Sequence, residues 1–175
     1  LPGDLDKDTI IERMIRVNQA GEYGAKRIYE GQLAVLKGTE SEGLLREMLD
    51  HELVHLDKFN KEMVNRKVRP TALQPVWHIA GFIMGVGSAL LGKNAAMACT
   101  VAVEEVIEEH YSQQVQELGD EESELKSIIQ SCLSDEQEHR NIGLEQGAES
   151  APGYDTITAT VKNASRLAIW LSTRI

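Results

Sequence analysis

One pattern occurs twice in this chain and limits what the chain can fold into. Ala20-Gly21-Glu22-Tyr23-Gly24-Ala25 is followed about thirty residues later by Asp50-His51-Glu52-Leu53-Val54-His55. Ala102-Val103-Glu104-Glu105 is followed at a similar interval by Asp135-Glu136-Gln137-Glu138-His139. Each half supplies a lone Glu and then Glu-x-x-His. Three residues along an α-helix turn about 300°, so the Glu and His of each pair share a face and can grip one ion together.

The apolar residues around these groups recur at helical spacing. Leu45, Met48, Glu52, His55 and Phe59 form one seam, and Leu125, Ile129, Cys132, Glu136, His139 and Gly143 another. Ile11, Ile15, Asn18, Glu22, Ala25 and Tyr29 form a third, and Met97, Val101, Glu104, Glu108 and Tyr111 a fourth. A carboxylate in an apolar seam is costly unless it is paired or bound to a cation. One Glu-x-x-His is commonly a solvated surface pair. Two copies at matched spacing, each inside such a seam, point instead to a dinuclear metal centre in a four-helix bundle. The candidate ligands are Glu22, Glu52, His55, Glu104, Glu136 and His139. Glu108 shares a face with Glu104 and rivals it. Glu104 is preferred because its local sequence and its seven-residue offset to Tyr111 mirror Glu22 and Tyr29. Tyr111, with His110 beside it, is expected to line the cavity next to the metals, whereas His51 and His78 read as ordinary polar residues.

No stretch alternates with a period of two, so the expected class is all-α. Thr9-x-x-Glu12 reads as a capping box opening a helix to about Leu36, and Thr39-x-x-Glu42 as another opening a helix to about Arg66. Apolar residues dominate from Val76 to Leu91. Asn94 is expected to cap a fourth helix ending at Gly119, a fifth runs from Asp120 to about Gly147, and Asp155 caps a sixth to the C-terminus. Helices one, two, four and five then make the bundle, and the chain reads as one domain over 1–175 with two added helices.

The apolar helix at about 76–91 is short of the roughly twenty residues that cross a bilayer. Gly81, Gly85, Ser88 and Gly92 give it a small-residue stripe suited to close packing. Ile79, Phe82, Ile83, Val86 and Leu90 form a bulky opposite face, expected to lie in a membrane surface near a lipid-soluble substrate or to serve as a core or oligomer contact. The formal charge of −10 argues against a nucleic-acid partner. Cys99 and Cys132 fall in apolar helical contexts and read as reduced core residues. Mixed carboxylate and imidazole donors suit iron or manganese.

Val17-Asn18-Gln19-Ala20-Gly21-Glu22-Tyr23-Gly24-Ala25, Gly87-Ser88-Ala89-Leu90-Leu91-Gly92-Lys93, Ala96 through Glu105 and Glu136-Gln137-Glu138-His139 closely resemble the 5-demethoxyubiquinone hydroxylases of ubiquinone biosynthesis. The resemblance implies a ferritin-like di-iron monooxygenase that hydroxylates demethoxyubiquinone with O₂ and electrons from NADH. It also implies peripheral attachment to the matrix side of the mitochondrial inner membrane, or to the cytoplasmic face of a bacterial membrane, and a lipid-binding accessory protein as partner. Two Fe ions would fall on Glu22, Glu52, His55, Glu104, Glu136 and His139, with Glu52 and Glu136 bridging. The family usually carries Asp-His where Asn18-Gln19 stand here, and His-Asp where Arg140-Asn141 stand. Readings of other classes are an iron-oxidising or storage protein of the same fold and a catalytically inactive lipid-binding scaffold; a homo-oligomer is compatible with all three.

The C-terminal helix, about 155–175, carries Arg166, Trp170 and Arg174 four residues apart along one side. Two guanidinium groups flanking an indole suit a pyrophosphate with a stacked ring, so these residues, joined by Arg13, are the candidate NADH site. No glycine-rich dinucleotide fingerprint occurs, so such a site is not a Rossmann site.

Overall fold

The computed structural model describes residues 6–175; the first five positions of the expected 1–175 domain lie outside them. Six α-helices follow one another: α1 Lys7–Leu36, α2 Glu42–Arg66, α3 Gln74–Leu90, α4 Lys93–Glu117, α5 Ser123–Glu145 and α6 Tyr154–Ser172. Single 3₁₀ turns, Asp120–Glu122 and Ala148–Ser150, precede α5 and α6. Among the described residues there is no strand. The architecture is a ferritin-like bundle of α1, α2, α4 and α5, with α3 laid along α1 and α6 along α4.

The helix ends differ from the sequence expectation in chemistry more than in place. Asp6, not Thr9, caps α1, its carboxylate accepting from the Thr9 N–H at 2.8 Å. The Thr39 box is not formed either. The Thr39 hydroxyl turns back to the Leu36 carbonyl at 2.6 Å, and Glu42 accepts from the Gly38 N–H at 2.6 Å, so both side chains finish α1 and α2 begins at Glu42. Gly92 and Gly153 occupy the cap positions expected for Asn94 and Asp155. At the end of α2, Lys67 takes a left-handed φ of 56° while the Val68 N–H reaches the Met63 carbonyl at 2.9 Å. That is the closure usually given to glycine.

Small residues set the position of α3. Gly81 and Gly85 are buried against α1, and a Cβ at Gly85 would run into the Ile28 carbonyl. Gly31 answers from α1, where a Cβ would meet the Phe82 carbonyl. This close approach turns Ile79, Ile83, Leu90 and Leu91 outward, each more than half exposed. Phe82 and Val86, expected on that outer face, are instead partly buried, and the Arg27 guanidinium lies 4.7 Å from the Phe82 ring.

The core is divided. One apolar cluster holds Ile15, Phe59, Ile129 and Tyr111, and the other Tyr29, Leu45, Met48, Met97 and Val101. In α2 and α5 the candidate metal ligands fall where one cluster gives way to the other.

Candidate metal centre

Glu22 from α1, Glu52 and His55 from α2, Glu104 from α4, and Glu136 and His139 from α5 are each at most 1% exposed. Donor atoms of Glu22, Glu52, His55 and Glu136 lie within 4.8 Å of one another, as do those of Glu52, Glu104, Glu136 and His139. Glu52 and Glu136 belong to both groups, while each other residue belongs to one. That is the connectivity of two ions sharing two carboxylates. His55 Nδ1 lies 3.0 Å from Glu136 and 3.6 Å from Glu22; His139 Nδ1 lies 3.2 Å from Glu52 and 3.3 Å from Glu136.

The residues fit a metal on the strength of what they leave unsatisfied. Glu22 Oε2, both oxygens of Glu52 and of Glu136, Glu104 Oε2, His55 Nδ1 and His139 Nδ1 are buried without a hydrogen-bond partner. Eight orphaned donor atoms converging on one layer would be a heavy penalty unless a cation fills it. The electrostatics agree. Burial, reinforced by the neighbouring carboxylates, pushes Glu52 and Glu104 well above the usual carboxylate range. Burial alone would push Glu136 up and His55 down; contact between Glu136 and the two imidazoles reverses both. Without a cation the layer must hold protons, and a divalent ion can replace them.

Two tyrosines support this layer from across the bundle. Tyr29 of α1 donates to Glu104 of α4 at 2.6 Å, and Tyr111 of α4 donates to Glu22 of α1. Tyr111 therefore touches a candidate ligand directly. Two glutamines extend the symmetry, each ten positions after the lone Glu of its helix. Gln32 Nε2 donates to the Ala96 carbonyl at 3.0 Å, and Gln114 and Asn18 exchange hydrogen bonds of 2.8 and 2.7 Å. Both are buried, and the repeated +10 offset was a readable signal for them.

The rival Glu108 stands outside the layer, tied to Arg140 and accepting from Gln137 at 3.2 Å. Arg140, one of the departures from the family pattern, thus occupies the competing carboxylate. Gln19, another, donates to Asn60 at 3.2 Å. Cys132 is buried as expected but also approaches the layer, its sulfur lying within 4.8 Å of donors from Glu22 and His55. His78 is an ordinary polar partner of Tyr23 at 2.7 Å. His51 is not ordinary, because its Nδ1 lies 3.0 Å from His139 Nε2.

Beside the metal layer, an apolar cavity of about 140 Å³ lies among α1, α3, α4 and α6, lined by Ala25, Ile28, Trp77, Met84, Ile107 and Ile169 among others. Gly21 and Val103, the chain neighbours of Glu22 and Glu104, also line it. A second space of about 300 Å³, between α4 and α6, is lined by His110, Gln113, Arg166, Trp170 and Arg174. His110 therefore belongs to this groove rather than to the metal layer, accepting from Gln114 at 2.8 Å, and burial lowers its pKa to about 4. Arg166 donates to Glu109 at 3.1 Å, and Arg174 lies over the Trp170 ring at 4.2 Å. Arg13 is not among the residues lining this groove.

Comparison with known proteins agrees with this geometry. Residues 9–172 match the family described as ubiquinone biosynthesis protein COQ7. A Rhodospirillum rubrum protein named 3-demethoxyubiquinol 3-hydroxylase is 50% identical over 100% of this chain and 83% of its own length. The Dictyostelium discoideum and Homo sapiens proteins, each named NADPH-dependent 3-demethoxyubiquinone 3-hydroxylase, mitochondrial, are 53% and 48% identical, over 97% and 94% of this chain and 79% and 78% of their own lengths. The motifs, the duplicated carboxylate–imidazole layer and these matches together place the chain in the COQ7 family of ubiquinone biosynthesis proteins.

Proposed function

We propose that this protein hydroxylates the ring of a demethoxyubiquinone or its quinol, as the names of its relatives describe for them. The observation that carries the reading is a buried carboxylate–imidazole layer in a bundle that also holds an apolar cavity, lined by Gly21 and Val103, the chain neighbours of Glu22 and Glu104. An iron-storage protein has no use for that cavity.

Two iron ions held by Glu22, Glu52, His55, Glu104, Glu136 and His139, with Glu52 and Glu136 shared, would supply the reductive activation of O₂. One oxygen atom enters a ring C–H bond and the other leaves as water, with two electrons and one proton from the reduced nicotinamide and the second proton from solvent. The protein's own residues do the rest. Ile28, Met84 and Ile107 exclude water and orient the apolar substrate. Tyr29 and Tyr111 keep the outer carboxylates turned inward. Electrons come from a nicotinamide dinucleotide. The reductant expected from the sequence is NADH, whereas the relatives' names specify NADPH. The groove holding Arg166, Trp170 and Arg174 is its proposed seat, with Arg13, near the start of α1, as the further candidate.

We further propose that 1–175 acts as one domain and that Ile79, Ile83, Leu90 and Leu91 of the α3 region rest on the lipid surface from which the substrate enters. No helix among the described residues is long and apolar enough to cross a membrane. The matrix face of the mitochondrial inner membrane, or the cytoplasmic face of a bacterial one, and a lipid-binding accessory protein fit this attachment.

The test is anaerobic addition of NADH or NADPH and a short-tailed demethoxyquinone to iron-loaded protein, then ¹⁸O₂. A product heavier by one oxygen atom, labelled from ¹⁸O₂, is expected. Consumption of oxygen with no labelled quinone would overturn the assignment.

A further inference from the structure

The two halves of the metal layer match through their ligands and their tyrosines. They differ in what stands behind each histidine. Both imidazoles present Nδ1 to the layer, so in the metal-binding state Nδ1 carries the lone pair and Nε2 carries the proton. His55 Nε2–H donates to Asp135 Oδ2 at 2.9 Å. His139 Nε2–H donates to His51 Nδ1 at 3.0 Å, between rings whose planes are 16° from parallel.

Asp135 and His51 hold the same register, each one position before the shared glutamate of its helix. From α5 and α2 respectively, each reaches across to the other helix's histidine. One position thus gives a carboxylate and its counterpart an imidazole. A carboxylate accepting the distal N–H draws the proton toward itself and makes the imidazole a stronger donor; a neutral ring nitrogen does so far less. The first-sphere charge is equal, with three carboxylates and one imidazole in each group of four. The Cys132 sulfur, within 4.8 Å of donors from Glu22 and His55, stands on the His55 side alone and so does not offset the difference behind the histidines.

Resting on the reading of this layer as a dinuclear metal centre, we infer that its two positions are unequal: the ion on His55 is bound more tightly than the ion on His139, because Asp135 positions and polarises His55 where His51 backs His139. Asp135 and His51 are positioning residues, acting through the ligands. The layer fills in order, with the His55 position first.

The full-length metal-free protein is titrated anaerobically with Co(II), and binding is followed by the ligand-field absorption of the ion, with no turnover involved. His139→Ala leaves the His55 position as the complete one, and His55→Ala leaves the other. His139→Ala is expected to bind its ion about ten- to a hundredfold more tightly than His55→Ala, the range typical of a hydrogen-bond partner behind a metal ligand. Adding Asp135→Asn to His139→Ala should remove that advantage, while Asp135→Glu restores part of it. Adding Asp135→Asn to His55→Ala should change nothing. Asp135→His and His51→Asp together should reverse the order, because the Asp Oδ and His Nδ1 atoms stand at similar reach from the backbone. Circular dichroism of each metal-free variant checks the fold. Equal affinity of the two single-histidine variants, or an advantage that survives Asp135→Asn, overturns the inference. Failure of the wild-type protein to take two ions overturns the dinuclear reading itself.

Discussion

The Tyr29 hydroxyl donates a 2.6 Å hydrogen bond to Glu104, 75 positions away in the chain. Tyr111 returns the arrangement to Glu22, so each helix of the α1–α4 pair supplies the carboxylate that the other helix's tyrosine holds. Burial first, and the neighbouring carboxylates second, push both hydroxyls well above the normal tyrosine range, so both remain donors at any ordinary pH. Neither hydrogen bond can form unless α1 and α4 are in register. The pair therefore fixes helix alignment and carboxylate direction together.

Tyr29→Phe keeps the ring and removes the donor. It leaves a fully buried Glu104 oxygen unpaired, a change that costs about 1–3 kcal/mol in the folded protein. Binding of one metal ion should weaken about tenfold, with far-ultraviolet circular dichroism unchanged. Tyr111→Phe should do the same at the Glu22 side. Metal affinity unaltered in both variants would show that the hydroxyls serve only packing.

These hydrogen bonds also show which parts of the site were legible in the sequence. Glu22 and Tyr29, like Glu104 and Tyr111, repeat at fixed offsets, and a repeat of titratable groups inside apolar seams is visible without coordinates. The bundle and the choice of Glu104 over Glu108 followed from that signal, and the two extra helices from the apolar run from Val76 to Leu91 and the break before Asp155. His51 did not, since its role depends on facing His139 of another helix and no spacing within α2 reveals it. His110 was misplaced for a related reason: one residue from Tyr111 is a rotation of about 100°, which turns it from the layer to the α4–α6 groove. The caps failed because Thr39 and Glu42 found partners at the end of α1, and local motifs do not record that competition.

Metal loading should release protons at neutral pH. Glu52 and Glu104 are raised well above the carboxylate range, and His55 is raised to about 11, so the metal-free layer holds protons at pH 7. An ion can enter only as they leave, so affinity must rise with pH for as long as any of these groups stays protonated, up to about 11 for His55. Calorimetric titration in buffers of different ionisation enthalpy counts the protons. A binding enthalpy independent of buffer would contradict the protonated layer.

Two glycines of α3 separate packing from propensity. At Gly85 an added Cβ would strike the Ile28 carbonyl and lie 3.0 Å from the Gln32 nitrogen, both backbone atoms that cannot rotate away. At Gly87 a Cβ meets nothing within 4 Å. Gly85→Ala should therefore cost at least the roughly 1–3 kcal/mol typical of overpacking and loosen α3, read as a lower melting temperature and faster proteolysis near residue 74. Gly87→Ala should gain about 0.5–1 kcal/mol from helix propensity. Equal effects of the two would mean that α3 is not held by close approach to α1.

Lipid attachment makes a different demand on the same helix. Ile79 and Ile83 are 60% and 63% exposed and lie on the side of α3 away from α1. Replacing both with Glu removes apolar area from the outer face without touching the glycine packing. Binding to liposomes should be abolished and turnover of a long-tailed quinone should fall, while a short-tailed analogue is still hydroxylated. Loss of both activities together would assign these residues to folding instead.

The groove between α4 and α6 is the proposed seat of the reductant. Arg166 and Arg174 line it on either side of Trp170, and neither is fully committed within the protein. Arg166 meets Glu109 in a pair whose side chains are 54% and 53% exposed, so the pairing is solvated and worth little. Arg174 rests on the Trp170 ring at 4.2 Å and can turn toward a phosphate while the indole takes a nucleotide ring. Each charge-assisted hydrogen bond to the dinucleotide that an Ala substitution removes should cost about 1.5–3 kcal/mol, roughly ten- to a hundredfold in affinity. Arg166→Ala with Arg174→Ala should slow reduction of the metal centre by NADH and NADPH, whereas dithionite, which needs no such seat, should reduce it at the wild-type rate. Glu109→Gln offers the opposite check. Freeing Arg166 from its carboxylate and lowering the negative charge beside the groove should tighten dinucleotide binding. If the double arginine variant is reduced by the dinucleotides as fast as the wild type, electrons enter by another surface.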